Sequence, residues 1–246
     1  MTPIPYSETY QVRIADMGVG RQATLPAVAN WLQEVASAHA RELGFSNQRL
    51  GQAGVAWVLT RLAVRMDHWP SLGQEVTVQT WPSGLEGLRA TRDFRLLGQD
   101  GERIGVATSA WVTLDVARRR AVRLPAFVAD YYPAHNERVL EFETRTVPAP
   151  GEGGQPCTIL TRAADLDENG HVNNVRLVEW ALEPLEQAFA LSRPLSVDIA
   201  FRAECLHRDT VTAVCLPEQG DRAMLHGLTR ADGTSVAHMR TVWPAA

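Results

Sequence analysis

Apolar residues recur at helical spacing at Leu25, Val28, Trp31, Leu32, Val35 and Leu43. That period predicts an amphipathic helix over LPAVANWLQEVASAHAREL. Around it lie runs rich in Val, Thr and aromatic residues with alternating polarity, which predict strands. TYQVRIADM precedes the helix; AWVLTRLAVRM, EVTVQTW, ATRDFRLL and RIGVATSAWVTL follow it. Asp100-Gly101 predicts a hairpin turn between the last two. From Cys157 the grammar starts again. CTILTRAADL leads into a helix over VNNVRLVEWALEPLEQAF, followed by SVDIAFRAEC, TVTAVCL, RAMLHGLTR and TSVAHMRTVW.

The recurrence extends to individual residues. Residues 15–22 read ADMGVGRQ and residues 164–171 read ADLDENGH, and the same spacing carries Trp31 onto Trp180. QDGERIGVATSAW, ending at Trp111, matches ADGTSVAHMRTVW, ending at Trp243. Leu62-Ala63-Val64-Arg65 matches Ile199-Ala200-Phe201-Arg202. Each match is weak alone, but their common order indicates two copies of one unit. VPAPGEGGQP, residues 147–156, reads as the exposed connection. The boundary is therefore expected near 145–155, with units at 1–145 and 146–246. Strand, helix, then four strands suggests an α+β architecture in which an antiparallel sheet wraps a long helix. Two such units in one chain imitate a two-fold dimer, so a monomer and a homodimer both fit.

Composition narrows the function. The chain has 246 residues, 45% of them hydrophobic, and a formal net charge of -4. That suits a globular protein with a sizeable core and argues against a dedicated nucleic-acid binder. Every basic residue apart from histidine is arginine, so lysine chemistry is excluded. Cys157, Cys205 and Cys215 are odd in number and widely spaced, which suggests no disulfide framework or metal motif. No signal peptide or transmembrane stretch is visible, and a cytoplasmic location is expected. No metal-ligand spacing or nucleotide loop stands out, so neither metal nor cofactor is expected.

Candidate chemistry gathers where the second copy enters its helix. DLDENGHVNN places Asp167, Asn169, His171, Asn173 and Asn174 together, whereas the first copy has Gly18, Gly20 and Gln22 opposite Asp167, Asn169 and His171. Asp and Asn are ordinary turn and N-cap residues. A fold requirement, however, would ask similar residues of both copies. A helix N-terminus offers unpaired N–H groups and a positive dipole end, which polarise a carbonyl. His171 suits a general base if Asn169 or Asp167 orients it. A second group, Glu204-Cys205, closes SVDIAFRAEC. Strand alternation through Cys205 would turn these two side chains to opposite faces unless a bulge intervenes. His39 and the recurring tryptophans read as packing residues.

With these residues the sequence resembles the acyl-ACP thioesterases of plants and bacteria. The resemblance lies in an Asp-x-Asn-x-His-x-Asn run opening the second helix, here Asp167, Asn169, His171 and Asn173. It includes a downstream Glu-Cys pair, Glu204-Cys205, and the order of first-half strands from AWVLTR to SAWVTLDVARRRAVRLP. It runs from about residue 5 to about 243. It implies two tandem hotdog units and hydrolysis of the thioester between a fatty acyl chain and acyl carrier protein. The first unit would shape the acyl pocket and the second would carry the reactive residues. The long N-terminal extension of the chloroplast enzymes is not seen.

The resemblance makes Asp167, Asn169, His171, Glu204 and Cys205 the candidate catalytic set and leaves two mechanisms. In one, Cys205 is the nucleophile, His171 its base and Asn169 the orienter. In the other, Asp167 or Glu204 works with His171 on water or attacks directly. The second is favoured, because Cys205 continues an apolar strand face. The acidic carrier needs a basic patch, and Arg118, Arg119, Arg120 and Arg123 are the densest cluster. The competing readings are an acyl-CoA thioesterase, a catalytically silent acyl-binding hotdog protein and a hotdog dehydratase.

Overall fold

The computed structural model describes residues 5–132, 137–185, 192–218 and 222–244. The chain forms two compact units. One comprises Met1–Val12 and Asn30–Phe142, the other Arg13–Ala29 and Glu143–Ala246. The division thus falls at Phe142/Glu143, slightly before the expected boundary. The turn and first helical residues of the first copy count with the second unit.

In the first unit, β1 (Tyr6–Gln11), β2 (Val55–Met66), β3 (Glu75–Glu86), β4 (Arg89–Leu97) and β5 (Arg103–Asp115) lie in the order β1-β3-β4-β5-β2. All these pairings are antiparallel. A short β6 (Arg120–Val122) adds to β5. Helix α1 (Leu25–Glu42) buries Leu25, Val28, Trp31, Leu32 and Val35, the apolar face its periodicity predicts. Two short helices, α2 (Asn47–Gln52) and α3 (Ala126–Ala129), were not legible from the apolar pattern. Leu50 and Val128 from them seal a satellite core with Phe45, Val55, Ala90 and Leu124.

The second unit repeats the plan. β7 (Cys157–Leu160), β8 (Ser196–Phe201), β9 (Thr210–Pro217), β10 (Ala223–Arg230) and β11 (Ser235–Val242) lie in the order β7-β9-β10-β11-β8, the first unit's order position for position. Helix α4 spans Asn174–Leu182, shorter than the expected run. Pro184 follows it and cannot donate a helical hydrogen bond. The rest of the expected helix reaches into 186–191, outside the described residues.

β1 and β7 also end earlier than expected, at Gln11 and Leu160. Each gives way to a 3-10 turn, Ile14–Asp16 and Ala163–Asp165. The reason is a side chain. Asp16 Oδ2 accepts the Arg13 N–H at 2.8 Å, and Asp165 Oδ2 accepts the Arg162 N–H at 2.8 Å. Each carboxylate closes its turn and takes the chain off the strand path. β8 likewise stops at Phe201, because the Arg202 and Ala203 N–H groups both turn to the single carbonyl of Val236, at 2.8 and 3.3 Å.

Candidate active site

The junction between β7 and α4 is built twice in this chain. An isolated bridge joins Leu166 to Val172, as another joins Met17 to Ala23. Asp167 N–H donates to His171 O at 2.7 Å, and Gly18 N–H donates to Gln22 O at 3.2 Å. Asn173 N–H reaches Asp165 O at 2.9 Å, and Thr24 N–H reaches Asp16 O at 2.9 Å. The loop therefore folds with glycines and glutamine as well as with the polar set. The polar set of the second copy is not needed to make it.

Within the second junction each polar residue has a distinct place. Asp167 Oδ1 accepts the backbone N–H groups of Asn169 at 2.8 Å and His171 at 3.3 Å, so its carboxylate ties the loop across itself. Asn169 is exposed, and its amide nitrogen lies 3.5 Å from Asp167 Oδ2, a weak contact. Asn173 caps α4 by accepting the Val175 N–H at 2.9 Å. Asn174 then stands first in the helix, where its N–H has no intrahelical acceptor.

Glu204 and Cys205 arrive from the other side. Because β8 ends at Phe201, strand alternation does not govern them. The Cys205 carbonyl accepts the Val172 N–H at 2.9 Å, which stitches the loop after β8 to the opening of α4. The Glu204 side chain reaches the imidazole, with His171 Nε2 3.3 Å from Glu204 Oε2 and both side chains roughly one-third exposed (38% and 36%). Neither Asp167 nor Asn169 orients the ring, contrary to expectation. Asp167 holds the His171 backbone, and Glu204 meets its side chain.

Three comparisons with known proteins bear on what this arrangement belongs to. Residues 3–132 match the acyl-ACP thioesterase N-terminal domain, and residues 155–245 match the acyl-ACP thioesterase C-terminal domain. The chain belongs to the acyl-ACP thioesterase family. It is 27% identical over 254 residues to the chloroplastic oleoyl-acyl carrier protein thioesterase of Coriandrum sativum, covering 95% of this chain and 68% of that protein. It is 30% identical over 264 residues to the chloroplastic palmitoyl-acyl carrier protein thioesterase of Arabidopsis thaliana, covering 97% of this chain and 63% of the relative. It shares the fold of an acyl-ACP thioesterase from Bacteroides thetaiotaomicron, with a TM-score of 0.86 at 23% identity over 97% of each chain. The tandem hotdog architecture and the class of thiolester hydrolases follow from this membership.

Cys205 is 1% exposed, and burial pushes its thiol up to about 11. Asp209 and Asp232 add to that rise, and Arg230 opposes it. The cysteine backbone is thus at the site while its thiol faces the core.

The loop from 202 to 209 is staked by residues that sequence reasoning passed over. Thr161 Oγ1 donates to Leu206 O at 2.6 Å, and the Thr161 N–H donates to Asp209 O at 2.9 Å. Asp209 Oδ2 accepts the Leu206 N–H at 2.8 Å. Arg230 Nη1 donates to Glu204 O at 3.1 Å. Comparing the copies strand by strand would have flagged Arg230, since Gly98 occupies its place in the first.

Proposed function

We propose that this chain hydrolyses the thioester of fatty acyl-acyl carrier protein, releasing a free fatty acid and the carrier's phosphopantetheine thiol, with His171 and Glu204 activating the attacking water. The observation that carries this reading is the 3.3 Å approach of His171 Nε2 to Glu204 Oε2 in the copy that holds both residues. The pair forms an acid–imidazole dyad whose second ring nitrogen, Nδ1, is left to take a proton from water. The water oxygen attacks the thioester carbonyl carbon, and the C–S bond breaks as the tetrahedral intermediate collapses. The sulfur leaves as a thiolate and recovers the proton from His171. The Asn174 N–H and the N-terminal dipole of α4 stabilise the developing oxyanion.

Asp167 adds to the loop two hydrogen bonds that fix the Asn169 and His171 backbone, and Asn169 contributes to positioning the substrate. Cys205 serves as a small packed residue beneath Glu204. The first unit shapes the acyl pocket. Among its exposed arginines, Arg118 is engaged by Asp115 at 3.0 Å. The patch continues over Arg120 and Arg123, which are exposed, and it receives the acidic carrier. Three free cysteines suit a reducing, cytoplasmic setting.

The test is thiol release from acyl-ACP and acyl-CoA of matched chain lengths, by the wild type and by folded His171→Ala and Glu204→Gln. Fast release from acyl-ACP that falls about 100-fold or more in both variants supports the proposal. A preference for acyl-CoA transfers the protein to the neighbouring substrate class. Binding of acyl ligands without release from either substrate would sink the hydrolase reading.

A further inference from the structure

We infer that Arg230 is a positioning residue of this site, fixing the Glu204 backbone so that the Glu204 carboxylate meets His171. The inference rests on the His171–Glu204 reading above. Glu204 lies beyond the end of β8, between Ala203, whose N–H reaches Val236 O at 3.3 Å, and Cys205, whose carbonyl accepts the Val172 N–H at 2.9 Å. A carboxylate there holds an imidazole in place only if its backbone is held first. Arg230, the last residue of β10, reaches it with Nη1 on Glu204 O at 3.1 Å.

The guanidinium is itself immobilised. Its Nη2 donates to Asp232 Oδ2 at 2.8 Å and Thr234 Oγ1 at 3.2 Å, and its Nε lies 3.4 Å from Asp232 Oδ1. On the loop side, Asp209 Oδ2 lies 3.9 Å from Nη1 while accepting the Leu206 N–H. A rigid planar fork thus bridges a hairpin to the loop that carries Glu204.

The internal repeat supplies a control. The β10–β11 hairpin closes with Arg230 N–H on Thr234 O at 2.9 Å and Gly233 N–H on Arg230 O at 2.9 Å. The β4–β5 hairpin closes the same way, with Gly98 N–H on Glu102 O at 2.8 Å and Gly101 N–H on Gly98 O at 3.0 Å. Gly101 and Gly233 share the left-handed conformation, with φ of 78° and 83°. The hairpin therefore forms equally well with glycine where Arg230 stands. At Gly98 an added Cβ would run into the Glu102 carboxylate. The arginine occurs in the copy that carries the dyad, and hairpin geometry does not account for it.

The experiment is a mutant cycle on the full chain with acyl-ACP, using Arg230→Gln, Glu204→Gln, the double variant and Arg230→Lys, with thermal unfolding followed for each. Arg230→Gln should lower kcat about 10- to 100-fold, since small misplacements at a reacting centre have effects of that order. KM should stay within about twofold. Arg230→Lys should recover part of the loss, having one charge but no fork. In the Glu204→Gln background, Arg230→Gln should add less than about a threefold loss, because the two act as one unit. Full kcat in folded Arg230→Gln overturns the inference, as do losses that multiply in the double variant. If Arg230→Gln does not fold, the same cycle run with Arg230→Lys decides by the same coupling. Unchanged kcat in Glu204→Gln alone overturns the dyad reading, and this inference with it; loss in Glu204→Gln but not in Arg230→Gln overturns only this inference.

Discussion

Replacing Cys205 with alanine separates the two mechanisms most sharply. The thiolate is the nucleophile in any cysteine route. With the thiol pushed up to about 11, about one molecule in 3,000 carries a thiolate at pH 7.5. An ordinary cysteine at 9.0 would carry about 3 in 100, so burial removes about a hundredfold of the reactive form. A rate depending on that thiolate would climb about tenfold per pH unit from pH 7 to beyond 9, because the folded thiol titrates only near 11. A carboxylate–imidazole route has no such climb. We expect Cys205→Ala to keep kcat/KM within about threefold of wild type, with superimposable pH profiles between pH 6 and 9.5. The stability cost should be about 1 kcal/mol for one lost buried sulfur, or about 2–4 °C in Tm for a chain of this size. Thiol release from acyl-ACP, paired with a thermal melt, measures both. Loss of turnover in a folded Cys205→Ala, or a tenfold-per-unit alkaline rise in the wild type that the variant lacks, would refute the carboxylate route.

Three further outcomes are expected. His226 is fully buried between Ala181 O and Thr241 Oγ1, at 2.7 and 2.9 Å, and burial lowers its pKa to about 4. The unfolded chain binds that proton near pH 6.5 and the folded chain only near 4. Its contribution is therefore complete above pH 6.5 and declines below it, by about 2–3 kcal/mol at pH 4.5. Urea midpoints at pH 7 and 4.5 should differ less in His226→Gln, and equal differences would remove His226 as the cause. Asp167→Ala should lower kcat about tenfold or more by freeing the Asn169 and His171 N–H groups, without unfolding the chain. Full activity would show that the Asp167 carboxylate does not set the position of His171. Charge reversal of Arg120 and Arg123 to glutamate should raise KM for acyl-ACP at least about fivefold and leave KM for acyl-CoA unchanged; equal effects on both would move carrier docking elsewhere.

Much of this protein was legible along the chain because the relevant physics is local. Period and alternation mark α1 and the long strands, since each reports which side of one element meets the core. The repeat was legible for the same reason. Trp31 and Trp180 are both buried, and each Asp-Gly hairpin turns through a left-handed glycine. Short elements such as α2, α3 and β6 escaped notice because a single turn or three residues carries no period. The ends of β1, β7 and β8 were overrun because side-chain and bifurcated hydrogen bonds outbid the ladder there.

The chemistry divides along the same line. The sequence by itself marked the polar junction of the second copy, because its asymmetry between the copies can be read without coordinates, and the family resemblance marked the Glu204-Cys205 pair. Only the tertiary structure decided that Glu204, and not Asp167, meets the His171 ring, that the Cys205 thiol turns into the core, and that Arg230 braces the loop between them. Those contacts join segments far apart in the chain, and which one forms depends on the residue at which β8 leaves its ladder. Ending at Phe201 releases the next residues from alternation and lets backbone hydrogen bonds to Val172, Thr161 and Arg230 aim each side chain.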